Sequence, residues 1–91
     1  MKIVYPAVFE KKKDGSGYQA YFPDLEGCEA EGEDLEDAAD RAREAAAEWI
    51  SVEMDEGNDL PELSHEEDLD LKEESIVKYL TMTIQLVPGY D

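Results

Sequence analysis

Little in this 91-residue sequence can supply covalent or catalytic chemistry. Cysteine occurs once, at Cys28, which excludes an internal disulfide and gives no sign of an oxidising compartment. Beside Gly27 at a strand start, with no cation next to it in sequence, that thiol reads as a small buried hydrophobe. Histidine also occurs once. His65 sits in an acidic stretch with no Ser or Cys nucleophile placed to use it, and a general base needs a positioned partner and a third orienting group. It reads as a solvated surface residue. No run approaches the ~20 apolar residues of a membrane span, and the start Met1-Lys2-Ile3-Val4-Tyr5-Pro6 lacks a long apolar leader core. The expected location is the cytoplasm.

Positive charge is the scarcest commodity. Eight Lys and Arg stand against 25 Asp and Glu, a formal net charge of −17. Such a surface repels nucleic-acid phosphates and anionic membranes, so neither is an expected ligand, and direct DNA binding is not expected of this chain. It attracts basic proteins, at a rate that falls as salt rises. The one basic run, Lys11-Lys12-Lys13, reads as solvated lysines guarding a strand edge at a hairpin. The glycines of Asp14-Gly15-Ser16-Gly17 join two strands rather than a strand and a helix, so they do not form a phosphate loop.

What is present is enough for a packed interior. Hydrophobic residues make up 42% of the chain, which argues against a wholly disordered acidic tail. Residues 1–91 are expected to form a single domain, with no C-terminal DNA-binding segment. Lys2 to Glu10 reads as a first strand covered on two sides, with Pro6 favouring an edge or a bulge. A hairpin over 11–17 leads to a returning strand at Tyr18-Gln19-Ala20-Tyr21-Phe22. Cys28 to Gly32 suits a short third strand, with Cys28 and Ala30 on one face and Glu29 and Glu31 on the other. Asp34 is a good N-cap for a helix whose apolar stripe is Leu35, Ala38, Ala39, Ala42, Ala46, Trp49 and Ile50, stopped at Gly57. Ser64-His65-Glu66-Glu67 could cap a short helix. Ile76 to Leu86 alternates strictly enough for a final strand, ended by Pro88-Gly89. The expected class is α+β: a small mixed sheet in the order β-β-β-α-β, one helix on one face, and the last strand parallel to the first.

The carboxylates raise one further reading. Asp24, Glu26 and Glu29 surround a turn, and two-metal nucleases use clustered acids of this kind. In so acidic a chain such clusters arise by chance, and the calcium-loop pattern is absent. No metal or cofactor is expected, and no enzymatic activity.

Tyr5-Pro6-Ala7, a hairpin, and then Tyr18-Gln19-Ala20-Tyr21-Phe22-Pro23-Asp24-Leu25-Glu26-Gly27-Cys28 together resemble the HicB family of antitoxins. So do Ala30-x-Gly32, Leu35-Glu36-Asp37-Ala38 opening the helix, Trp49-Ile50 within it, and the Glu56-Gly57 to Leu60-Pro61 step before Ser64. The motif positions, mainly structural, are Tyr18, Phe22, Pro23, Asp24, Leu25, Gly27, Cys28, Gly32, Leu35 and Ala38. Three departures stand out: Glu26 replaces a frequent proline, Asp34 replaces a Thr or Ser cap, and Leu63 replaces another proline.

The resemblance implies a partial RNase H-like fold without that enzyme's catalytic carboxylates. It implies binding to a small basic HicA-type ribonuclease toxin, whose active site and RNA face the antitoxin covers. It also implies self-association, as a homodimer or higher assembly. Asp24, Glu26, Glu29 and Glu31 are the toxin-facing candidates. Two other readings compete: a solitary acidic interaction module without a toxin, and a metal-dependent RNase H-like nuclease centred near Asp24.

Overall fold

The period-two segments form strands and the alanine-rich stripe forms a helix. The computed structural model describes residues 2–69 and 71–84. It contains β1 (Lys2–Lys11), β2 (Tyr18–Tyr21), β3 (Glu29–Gly32), α1 (Leu35–Asp55), a 3-10 turn at Glu66–Asp68, and β4 (Ile76–Thr83). The four strands make one sheet in the order β3-β2-β1-β4. The expected residues Gln85, Leu86, Pro88 and Gly89 of the final strand and its stop lie outside the described residues.

Alternation along β1 sends Tyr5, Ala7 and Phe9 into the core under α1, with Ala20 of β2 and Leu80 and Met82 of β4 beside them. Val4, Pro6, Val8 and Glu10 point to the opposite face. There Pro6 and Val8 are also fully buried, so β1 is covered on both sides as its sequence implies, while Val4 stays 41% exposed. Pro6 does not mark an edge strand, because β1 lies between β2 and β4. Its missing N–H is nevertheless tolerated: the β1–β2 ladder stops at Val8↔Tyr21, so proline has no β2 partner to disappoint.

The helix begins where local chemistry puts it. The Asp34 carboxylate accepts from Asp37 N at 2.8 Å, and Asp37 Oδ2 accepts from Glu33 N at 2.9 Å, a reciprocal closure displaced by one residue from the usual capping box. The Glu33 N–H bond, followed by the Arg41 guanidinium, holds the Asp37 carboxyl below the usual carboxylate range. At the far end Gly57 N reaches Met54 O at 3.1 Å and Asn58 N reaches Glu53 O at 2.9 Å, a Schellman ending with Gly57 at a φ of 76°. Between them Ala38, Ala39, Ala42, Ala46 and Ile50 are buried against the sheet. The backbones come closest at Gly32, where a Cβ would lie 2.2 Å from Ala38 N.

The last strand corrects one expectation. β4 runs antiparallel to β1, from Phe9↔Ile76 to Lys2↔Thr83, so the sheet is antiparallel throughout rather than mixed. The helix ends at the Lys2 end of β1, and a direct link would have entered β4 there, parallel to β1. The connection 56–75 instead travels back to the hairpin end, tied on the way by Tyr5 Oη to Pro61 O and by Ser75 Oγ to Glu10 Oε2 at 3.2 Å. An extended chain of that length reaches up to ~70 Å, ample for the return.

Candidate protein-interaction surface

The loop between β2 and β3 is built from two consecutive turns. Leu25 N donates to Phe22 O at 3.0 Å and Cys28 N to Leu25 O at 3.0 Å, and Phe22 N closes the loop on Cys28 O at 3.2 Å. Pro23 takes the second place of the first turn, where its fixed φ is favourable. Gly27 takes the third place of the second turn with a φ of 78°, the value a type II turn demands there. Leu25, between the turns, is fully buried and anchors the loop in the core.

Long-range bonds then clamp this loop from both sides. The Trp49 indole donates to Glu26 O at 2.9 Å. Both carboxylate oxygens of Asp24 are taken by Ser64, one by its backbone N at 2.9 Å and one by its hydroxyl. Asp24 thus bridges residues 40 apart in sequence. Its charge reaches Tyr5, whose phenol is raised above its ordinary pKa first by burial and then by Asp24. We expect Asp24→Ala to lower stability by about 1.5–3 kcal/mol, the worth of hydrogen bonds to a charged acceptor. It should also speed limited proteolysis between Asn58 and Ser64. Unchanged cleavage there would show that the clasp does not hold the segment.

The remaining candidates gather along β3, an edge of the sheet. Glu29 and Glu31 are exposed and lie on the face away from α1. The pairings Glu10↔Gln19, Gln19↔Glu31 and Tyr21↔Glu29 put Glu10 on the same face, across Gln19 from Glu31. These residues line a depression of about 580 Å³ on the outer face of the sheet. Two resident cations are bonded to this row: Lys12 forms an ion pair with Glu31, and Lys72 lies 3.9 Å from Glu10. On the α1 side of the same edge, Glu44 and Glu48 border a second depression with Glu29 and Glu31. Glu26 is exposed at the loop tip but does not line either depression.

The structure therefore brings Glu29 and Glu31 together, adds Glu10, Glu44 and Glu48, and gives Asp24 a separate structural bond. The added residues were missed because they belong to other elements. Only the strand register joins Glu10 to the row, and only the seating of α1 brings Glu44 and Glu48 to the edge.

Nothing in this arrangement is poised for covalent chemistry. Burial, then the Glu29 charge, pushes the Cys28 thiol up to about 11, so it stays protonated at neutral pH. Among the described residues, no group of three or more His, Cys, Asp or Glu side chains is placed to hold a metal ion. No helix among them is long and apolar enough to cross a membrane. What the surface can do is present fixed negative charge, on two adjoining faces of one edge, to a cationic partner.

Fold and surface together define the class: a small acidic α+β domain, one helix on a four-stranded antiparallel sheet. The model of the HicB-like antitoxins of bacterial toxin-antitoxin systems matches residues 5–87, and the chain belongs to this family. Among solved structures it is similar to a chain of a HicA3 and HicB3 toxin-antitoxin complex, at 32% identity and a TM-score of 0.66, over 92% of this chain and 100% of that one. It is similar to the N-terminal domain of the Burkholderia pseudomallei antitoxin HicB, at 26% identity and a TM-score of 0.75, over 92% and 100% of the two chains. Antitoxin HicB3 alone matches at 30% identity and a TM-score of 0.67, over 96% of this chain but 64% of that longer one. No curated protein sequence matches.

Proposed function

We propose that this chain is the antitoxin partner of a small, basic HicA-type ribonuclease, acting in the cytoplasm by covering the toxin's RNA-binding and cutting surface and performing no chemistry itself. The observation that carries this reading is the family match, which includes almost every residue of the fold. The surface supports it physically. An inhibitor of an RNA-binding enzyme has to compete with phosphate for a cationic face, and a domain of net charge −17 presents carboxylates to such a face. The clamped loop and the short β3 edge hold those carboxylates on a rigid frame, which lowers the ordering cost of binding. The same charge disfavours direct contact with operator DNA. Self-association of the free antitoxin belongs to the same proposal, and light scattering of the purified chain would read it.

Co-expression with a small basic HicA-type toxin is the test. Co-purification and relief of toxicity are expected. If neither occurs, the toxin-binding reading falls and the solitary acidic module replaces it.

Glu29 and Glu31 are the positions to reverse first. Glu29→Lys with Glu31→Lys should weaken partner binding at least about tenfold, because rim charges facing a cationic partner become repulsive. The salt dependence of the association rate should flatten while the unfolding transition is retained, since both side chains are exposed. Affinity within twofold of the parent would remove the β3 edge from the interface.

A further inference from the structure

Where the β2–β3 loop meets the second half of α1, the surface folds into a groove of about 360 Å³. Its floor is apolar, from Ala45, Trp49 and Val52, and its rim is acidic, from Glu48 and Glu53. Val52 is 48% exposed, so the apolar floor is open to a partner. The indole of Trp49 is held in place by its bond to Glu26 O at 2.9 Å. Glu53 carries one neutral partner, the Asn58 side-chain amide at 3.0 Å. No Lys or Arg occurs in the sequence between Arg43 and Lys72, and the nearby Arg41 is already engaged with Asp37 at 3.3 Å.

We propose that this groove seats an arginine side chain of a basic protein partner. This rests on the reading that the partner is a basic protein, and adds where one of its cations docks. The guanidinium stacks on the Trp49 ring, its alkyl stem lies along Val52 and Ala45, and the Glu48 and Glu53 carboxylates accept from its N–H groups. Each feature matches one property of arginine: a planar cation for an aromatic face, methylenes for the apolar floor, and a fork of donors for the rim. An apolar side chain would leave the rim carboxylates desolvated and unpaired, which is unfavourable. Lysine would reach the rim, but as a strongly hydrated point charge it stacks less well on the ring. Because the indole is already held, little further ordering opposes docking.

Trp49 is the sole tryptophan, so its emission reports the groove directly. The probe is a capped tri-arginine peptide titrated into the full chain at low salt, with tri-lysine and the uncharged isostere tri-citrulline as comparisons. A saturable emission change is expected with tri-arginine, a weaker one with tri-lysine and none with tri-citrulline. Glu48→Gln with Glu53→Gln should weaken tri-arginine binding about fivefold or more. Glu36→Gln with Asp40→Asn, at the opposite end of α1, should leave it within twofold. Equal losses in the two pairs would mean diffuse attraction to an acidic protein, and the proposal would be overturned. Absence of any emission change would also overturn it. Retention of a co-expressed toxin is a separate readout, so the failure of either result leaves the other standing.

Discussion

Gly32→Ala is expected to cost about 3 kcal/mol or more, at or above the upper range for overpacking a core. The reason is backbone against backbone. A Cβ on Gly32 would lie 2.2 Å from Ala38 N, 2.6 Å from Ala38 Cα and 2.6 Å from the Asp37 carbonyl carbon, separations that no side-chain rotation relieves. The first turn of α1 cannot slide away cheaply, because the Asp34–Asp37 cap and the buried Ala38 hold it on the sheet. Gly17 is stacked on the other side, where its own Cβ would meet Gly32 O at 2.1 Å. For a domain of this size the total stability is about 5–14 kcal/mol, so the loss is a large share of it. Urea unfolding followed by circular dichroism would measure the loss. Gly15→Ala is the natural control, since a Cβ there meets nothing and only its φ of 77° is strained. That should cost about 1 kcal/mol. A Gly32→Ala variant as stable as the Gly15→Ala control would mean that the helix does not start against β3.

Leu25→Ala is expected to lower stability by about 2–5 kcal/mol, the range for truncating a buried leucine to alanine. Leu25 is 0% exposed although it stands in a loop, and it is one of the largest fully buried side chains. The two turns hinge on it: its N–H closes the first and its carbonyl accepts the second. Losing its anchorage should therefore loosen Asp24 and Glu26 together, and with them the bonds to Ser64 and Trp49. The single tryptophan would report this as a red-shifted emission in the folded protein. Partner binding should fall in parallel. Leu25→Met, which conserves volume, should cost less than about 1.5 kcal/mol and retain binding. If the alanine variant kept the parental emission and stability, the loop would not be anchored through this residue.

These two residues also mark how far local reasoning reaches. That the chain turns over 22–28 follows from Pro23, Asp24 and Gly27, whose conformational preferences act within a few bonds. That Asp24 serves a structural clasp does not, because its partner Ser64 arrives from the far side of the molecule. The reversed direction of β4 escaped for the same reason. The right-handed crossover habit links neighbouring elements by short paths, whereas here a long connection is steered by bonds to Tyr5, Asp24 and Glu10, each distant in sequence.

By itself the sequence determined the elements and their chemistry: period-two strands, an alanine stripe with Asp34 before it and Gly57 after it, and an excess of carboxylates. These properties depend on backbone preference, side-chain spacing and net charge, all of which a linear chain carries. Only the tertiary structure decided which carboxylates share a surface. Strand register set Glu10 on the same face as Glu29 and Glu31, and the close seating of α1 at Gly32 brought Glu44, Glu48 and Trp49 to the same edge. Such proximity is made by pairing and packing across the fold, and no local preference encodes it.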